Sequence, residues 1–309
     1  AVVKSKTASH FTLSRGRSRQ TYPSSQMGAI ALLRQFYYDA IWYNNVTNAD
    51  KDNVSLVRGL KNLDLPQIFG VRDKLEILRV AKIAREFEFQ VIVKGAGDEY
   101  ERIQEIKESG AKLILPVNFP AAYDVTDPYL SRFVNLSSLK DWELRPYNPY
   151  IAYKSKVPFC LTSSGLKKKS DFLKNVREAV KHGLPKTEAL RCLTQTPAEF
   201  IEMQHEIGDL KEGKLANFLI VKGDLFEDGE IYENWSKGQR NVLKNLNVPD
   251  LSGDYNLTVG KEIINLVISG SSAAPKGAVQ FYSTKKDSLS GQEVADTLKA
   301  KANVTISEL

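Results

Sequence analysis

The feature that most constrains the fold is an alternation, between residues 65 and 182, of short apolar segments with longer amphipathic ones. Each apolar segment has the length of a strand, and each amphipathic segment repeats its apolar residues at helical spacing. Parallel strands need a helical crossover between them, so the pattern predicts βα units in a barrel or an open doubly wound sheet. The predicted strands are Leu65–Val71, Phe89–Lys94, Lys112–Val117 and Val157–Thr162, and the predicted helices are Asp73–Glu86, Asp98–Ser109 and Ser170–His182.

The sequence on either side of this repeat has a different pattern. Beyond residue 197, short strands with Gly and Asn turns replace the helices, which is typical of an all-β module. We predict part boundaries at 1–197, 198–245 and 246–309. Further helices are predicted at Gln26–Asn44, Val54–Leu63, Pro149–Lys154 and Thr187–Thr194, a long loop at 118–139, and late strands at Gly253–Val259, Glu262–Ile268, Gly277–Tyr282 and Lys299–Ile306.

Composition excludes several classes of protein. The net charge of +6 comes from 43 basic and 37 acidic residues that are interspersed, so no basic surface for nucleic acid is predicted. The two cysteines, Cys160 and Cys192, have no CxxC partner and are predicted to be buried thiols. No stretch approaches the roughly 18 apolar residues of a membrane span. Because the chain begins Ala1-Val2-Val3 and ends in NVTISEL, we expect an internal piece of a longer protein.

Four segments carry a resemblance to a known family. Ile207–Val221 reads IGDLKEGKLANFLIV and resembles the return segment of the amidohydrolase superfamily. Ala189–Ile201 resembles the helix before that segment, and Val157–Ser164 resembles the eighth strand of the family's barrel. Ser18–Gln35 resembles large exported bacterial amidohydrolase-like proteins of the imidazolonepropionase-like kind. The resemblance extends over about residues 1–245.

This resemblance implies a fold and a cellular setting. The expected fold is α/β, a (β/α)8 TIM barrel that is incomplete here because strands 1 and 2 lie largely before Ala1. Residues 198–245 would supply return strands of a small β-sandwich, and 246–309 an all-β module. The open barrel edges would be covered by the missing N-terminal part of the same protein or by a second copy. The bacterial cell envelope or periplasm is the implied location.

The family's chemistry uses one or two divalent metals, usually zinc, held by histidines on strands 1, 5 and 6 and by an aspartate that ends strand 8. In this chain the matching positions on strands 5, 6 and 8 hold Phe69, Gly95 and Ser164. A phenyl ring and a glycine cannot ligate a metal, and a serine hydroxyl is a poor zinc ligand. No metal and no other cofactor is therefore expected to bind to this chain.

The three histidines are predicted to lie elsewhere. His10 is placed in a loop before any strand, His182 at the end of a helix, and His205 in a turn. None is expected to end a barrel strand.

The residues expected to line the barrel mouth are polar. Lys94, Asn118, Ser163 and Ser164 are the candidate site residues, with Tyr123 and Asp124 beside them. Two interpretations of the serines stay open. They either cap the helix after strand 8, or one of them is a nucleophile with Lys94 as its base. The capping interpretation is preferred because no motif supports catalysis.

Three functions follow from these observations. The first is an amidohydrolase-like domain with a degenerate metal site and a binding or scaffolding role, which makes the chain a pseudoenzyme candidate. The second is an active metal-dependent hydrolase of non-peptide C–N bonds whose ligands come from the missing N-terminal part. The third is an adhesion or polymer-binding module that acts through the C-terminal β region. The ligand would be a small molecule or a polymer.

Overall fold

The computed structural model describes residues 4, 6–14, 21–45, 53–244, 251–259, 262–271, 274–286 and 293–302. These residues form two compact units. The first contains the described residues up to Phe218, together with Gly223–Gly229 and Ser236–Gly238. The second contains Leu219–Lys222, Glu230–Trp235 and the described residues from Gln239 onward.

The first unit is built around a five-stranded parallel sheet whose strands lie in chain order. The parallel α/β arrangement predicted from the sequence is thereby confirmed, whereas closure into a full barrel stays a prediction. One strand, β1, was not predicted, and the placement of His10 in a loop is wrong because His10 belongs to it. The strands are β1 (Ser9–Thr12), β2 (Gln67–Gly70), β3 (Val91–Lys94), β4 (Lys112–Pro116) and β5 (Phe159–Thr162).

Helices follow each strand, as the periodicity predicts. The long loop predicted at 118–139 is shorter than expected, because it contains one helical turn and ends at the start of a further helix. The helices are α1 (Gln26–Asn45), α2 (Val54–Leu63), α3 (Lys74–Glu86), α4 (Ile103–Glu108), α5 (Pro128–Ser131), α6 (Leu136–Leu144), α7 (Asn148–Lys154), α8 (Phe172–Lys181), α9 (Lys186–Leu193) and α10 (Gln195–Phe200).

The two faces of the sheet have different neighbours, since side chains alternate across each strand. One face packs on the helices and forms the main core, through one register row of aromatic and aliphatic residues. The other face carries a smaller cluster of Ile68, Ile92, Cys160 and Phe200 and is partly open. The core row consists of Phe11, Phe69, Val93, Leu113 and Phe159.

Hydrogen bonds and ion pairs from two helices of the first unit hold the loop at Gly223–Gly229 in place. The Arg177 guanidinium on α8 donates to the carbonyl oxygens of Leu225 and Gly229, at 2.9 and 2.5 Å. At the start of α9, Lys186 pairs with Asp224 at 2.7 Å and also with Glu227. The loop therefore depends on two cations from neighbouring helices for its position.

Replacing Arg177 by methionine is expected to lower the free energy of unfolding by about 2–3 kcal/mol. The substitution keeps most of the aliphatic stem and removes two charge-assisted hydrogen bonds, which leaves two backbone carbonyls without their donor. Urea denaturation of the chain measures the loss. Arg79→Met on the exposed side of α3 is the matched control and should change the stability by no more than about 0.5 kcal/mol. Equal losses for both variants would contradict the assignment.

The second unit is all β. A three-stranded sheet has the order β6-β7-β8, and the predicted turn at Lys237-Gly238 connects its last two strands. A four-stranded antiparallel sheet has the order β12-β11-β10-β9. The end of the predicted strand Lys299–Ile306 lies outside the described residues. The strands are β6 (Phe218–Lys222), β7 (Glu230–Ser236), β8 (Gln239–Val242), β9 (Gly253–Val259), β10 (Glu262–Ser271), β11 (Ala274–Lys286) and β12 (Glu293–Ala302).

A helix can cross a membrane only if it is long and apolar enough. Within the described ranges, no helix combines the length and the apolar character that a bilayer crossing requires.

Candidate functional site

The carboxyl ends of the parallel strands carry the candidate site, the position where α/β proteins usually bind ligands. On the open face, Thr12, Gly70 and Lys94 are direct neighbours in register. A Cβ atom added to Gly70 would lie 3.5 Å from Thr12 Cγ2 and 3.6 Å from Lys94 Cε, so the three positions form one continuous surface. Ile114 and Cys160 continue the row on β4 and β5. We call these five residues the Lys94 row.

Phe69 lies on the opposite face of the sheet. Its ring is completely buried in the main core and stacks with Phe11 and Phe89, at centroid distances of 5.2 and 5.8 Å. The β2 residue beside Lys94 is Gly70, one position further along the chain. The position expected for a strand-5 ligand is thus not part of the open face.

Gly95 directly follows β3, and a neighbouring carboxylate explains why it is glycine. A Cβ atom at this position would lie 2.7 Å from Glu99 Cδ and closer still to Glu99 Oε1. The side chain of Glu99 is fully buried and folds back over the loop. The volume that a side chain at position 95 would need is therefore filled by Glu99.

The Glu99 carboxylate is held by backbone and side-chain donors. Its Oε1 accepts from the N–H groups of Ala96 at 2.7 Å and Gly97 at 3.1 Å, and its Oε2 accepts from Asn148 Nδ2 at 2.6 Å. Burial raises the pKa of Glu99, although the hydrogen bonds from Gly97 and Asn148 act in the opposite direction. The Arg145 guanidinium closes the loop from outside by donating to the Ala96 carbonyl at 3.3 Å.

Sequence reasoning did not identify this arrangement. Asp98 and Glu99 begin the helix predicted at Asp98–Ser109, but the Glu99 side chain turns back onto Ala96 and Gly97. The only sequence signal is the pair of glycines, of which Gly97 has a φ of +103°, a conformation that L side chains rarely adopt.

Asn118 follows β4 and lies against the turn of Ser163, Ser164 and Gly165 that follows β5, which we call the serine turn. Gly165 has a φ of +81°, and a Cβ atom there would lie 2.5 Å from Asn118 Nδ2, so the turn packs closely on this amide. Asn118 Oδ1 is buried and has no hydrogen-bond partner in the part of the chain that the structure describes. The structure thus brings two of the predicted mouth segments into contact.

The serines do not cap the following helix, so that prediction is wrong. The Ser164 N–H donates to Thr162 Oγ1 at 3.2 Å, and the Ser163 carbonyl accepts from Lys169 Nζ at 2.6 Å. The short 3-10 turn that follows begins after Lys168, three residues beyond Gly165. Between the described residues, Lys94 forms no hydrogen bond to either serine, and a Ser–Lys pair is not present.

The remaining candidate residues lie apart from the Lys94 row. His10 is an exposed residue of β1, two residues before Thr12 on the same face, beside Ile68. His182 ends α8, as expected, with its Nδ1 2.8 Å from the Glu178 carbonyl. Asp124 accepts from Thr126 in an exposed turn, and these hydrogen bonds lower the pKa of its carboxyl. Tyr123 is exposed beside it.

The side chains of this face do not fit a divalent metal. Within the described ranges, no group of three or more His, Cys, Asp and Glu side chains is close enough to hold one. The row offers Cys160 as its one soft donor, and burial raises the pKa of that thiol to about 12, so the ligating thiolate is disfavoured near neutral pH. The ammonium of Lys94, two strands away in the same row, repels a cation.

One family model matches part of the chain. Residues 143–271 match the model of the Amidohydrolase family. Among solved structures, an amidohydrolase from Thermotoga maritima MSB8 is 18% identical, with 77% of this chain and 63% of that chain covered and a TM-score of 0.59. This likeness shows the fold. The chain spans less than two thirds of the length of that protein.

Other similar structures are more distant. A second amidohydrolase is 15% identical, with 76% of this chain and 67% of that chain covered and a TM-score of 0.47. Ochratoxinase from A. niger is 18% identical, with 56% and 41% covered and a TM-score of 0.39. No curated protein matches the chain.

Proposed function

We propose that this chain is an amidohydrolase-like domain that binds a ligand at the carboxyl ends of its parallel strands and does not hydrolyse it with a metal. One observation carries the proposal. The open-face register row at which β1, β2 and β3 end consists of Thr12, Gly70 and Lys94, and it continues through Ile114 and Cys160 inside β4 and β5. This row offers an ammonium and a buried thiol and contains none of the imidazoles and carboxylates that hold the metal in a hydrolase of this kind.

The position after β3 supports the same proposal. A histidine in place of Gly95 would have to displace the Glu99 carboxylate, which four hydrogen bonds to Ala96, Gly97 and Asn148 keep in position. Both carboxylate oxygens of Glu99 already accept hydrogen bonds from backbone N–H groups and from the Asn148 amide. It is therefore not available as a substitute ligand.

The chemistry of the open face indicates the kind of ligand. Lys94 is exposed and supplies an ammonium. A small molecule, or the end of a polymer, that carries an anionic group would match it. The ligand would then bind on the open face of the parallel sheet.

An active C–N hydrolase is the second candidate. It is supported by the family match at 143–271 and by the 63% coverage of the Thermotoga protein, which leaves room for ligands outside this chain. This candidate requires that a metal bind when the rest of the protein is present.

Metal titration separates the two candidates. Zinc or manganese at a concentration 100 times the Kd of a specific site would stabilise the folded protein by about 2.7 kcal/mol. We expect no such stabilisation in thermal melts of the chain, and substoichiometric metal by inductively coupled plasma analysis of the longer protein. Stoichiometric metal in the longer protein, lost together with activity on chelation, would establish the hydrolase instead.

A further inference from the structure

A cleft of about 380 Å³ lies beside α8, away from the Lys94 row. Phe119 and Pro120, which follow β4, form one part of its lining. Trp142 at the end of α6 and Tyr147 in the next turn form a second part. The third part is α8, from which Lys174, Glu178 and His182 project at four-residue spacing and so share one face. No residue of the Lys94 row lines this cleft.

Two aromatic side chains in the cleft are partly accessible to solvent. Trp142 is 39% exposed and Tyr147 is 38% exposed, although both are large enough to contribute to a core. Tyr147 is fixed by an edge-to-face contact with His182, at a centroid distance of 4.7 Å and an interplanar angle of 85°. His182 is fixed in turn through its Nδ1 at the Glu178 carbonyl. The cleft thus presents ordered ring surface to solvent.

The charged groups that line the cleft are of both signs. The carboxylate of Glu178 already lies 3.6 Å from Lys181 Nζ and 3.5 Å from His182 Nδ1. Glu143 and Lys174 form no ion pair with any residue that the structure describes, and they supply one charge of each sign. A ligand with a strong net charge would therefore meet a like charge in the same cleft.

We propose that this cleft binds a neutral saccharide. A sugar ring has a C–H face that packs against an aromatic ring and a rim of hydroxyl groups that both donate and accept hydrogen bonds. The indole of Trp142 and the phenol of Tyr147 provide the ring surface. Glu143 provides an acceptor and Lys174 a donor. The volume is large enough for a monosaccharide unit or for one end of an oligosaccharide. This inference does not depend on the function proposed for the Lys94 row.

Saccharide binding is tested on the 309-residue chain by saturation-transfer NMR and calorimetry. The probes are glucose, galactose, N-acetylglucosamine and the trisaccharides maltotriose, cellotriose and chitotriose. At least one probe is expected to bind the native chain, and Trp142→Ala is expected to weaken it about tenfold by removing the aromatic platform. Trp142→Phe should recover most of that affinity.

Trp42→Ala is the matched control, because Trp42 is 65% exposed on α1 and lies outside the cleft. It should leave binding unchanged, and circular dichroism should show that all three variants fold. Absence of binding by all six probes would overturn the proposal. Equal weakening by Trp42→Ala and Trp142→Ala would also overturn it, as would tighter binding of glucuronate or of free amino acids than of the neutral sugars.

Discussion

Replacing Phe69 by alanine is expected to lower the free energy of unfolding by about 3–5 kcal/mol, the usual cost of removing a large buried aromatic ring. The reason is its position in the middle of the core row, stacked between Phe11 and Phe89 and completely shielded from solvent. Removing the ring leaves a cavity against the helices, and both neighbours lose a stacking partner. Guanidinium denaturation followed by circular dichroism measures the change.

Phe133→Ala is the control, since Phe133 is 83% exposed and its removal should cost no more than about 0.5 kcal/mol. Phe69→His adds a test of the site. A histidine at this position faces the core, so it should destabilise the protein without conferring any stabilisation by zinc. If Phe69→His gained a zinc-dependent rise in melting temperature, the assignment of Phe69 to the helix-facing side would be wrong.

Replacing Gly95 by alanine is expected to cost about 2–4 kcal/mol, a large effect for a single methyl group. The new Cβ atom would overlap the Glu99 carboxylate, so either the loop shifts or the carboxylate leaves Ala96, Gly97 and Asn148. Gly70→Ala is the matched control on the neighbouring strand. Its Cβ atom would meet neighbours only at ordinary contact distances of 3.5 Å and more.

A double-mutant cycle with Glu99→Ala identifies the cause. Glu99→Ala alone is expected to be destabilising, because it leaves buried backbone donors without an acceptor. In that background Gly95→Ala should cost much less, since the atom it collides with is gone, which gives a coupling free energy of about 1–3 kcal/mol. Additive effects would show that Gly95 is constrained by something other than Glu99.

The periodic part of the fold was predictable from the sequence. Parallel strands buried between layers contain runs of apolar residues, and the helices between them repeat every 3.6 residues, so β2 to β5 and the helices α3, α7, α8 and α9 were predicted within a few residues. The helices α5 and α6 were not predicted, because they lie in the segment expected to be a long loop. β1 was missed because it lacks such a run of apolar residues. Its sequence, Ser-His-Phe-Thr, alternates polar and apolar side chains over only four residues, because one side of this strand is open.

The candidate site was predictable only in part. Lys94, Asn118 and the serine turn follow predicted strands, and the carboxyl ends of parallel strands lie on one edge of a sheet. Which side of the sheet a residue faces was not predictable, and the structure places Gly70, not Phe69, beside Lys94. The loop of residues 95–99, the Glu99 loop, was missed because it depends on the positive φ of Gly97 and on the hydrogen bond from Asn148, which is far away in the sequence on α7.

Several expectations from the family resemblance remain predictions. These are the closure of the barrel by the N-terminal part or by a second copy, the part boundaries at 197 and 245, the envelope location, and polymer binding by residues 246–309. In the described sheet, β1 and β5 are the edge strands. Each pairs on one side only, which is the geometry that such a closure would complete.

The Glu99 loop also has a consequence for how this surface can change over generations. A histidine side chain at position 95 would collide with the Glu99 carboxylate. Replacing Glu99 alone would leave the N–H groups of Ala96 and Gly97 without their hydrogen-bond acceptor. Either order of the two substitutions therefore passes through an ancestor of reduced stability. With this glycine and this glutamate together in the chain, a metal-ligating side chain after β3 cannot be introduced by single substitutions without a loss of stability.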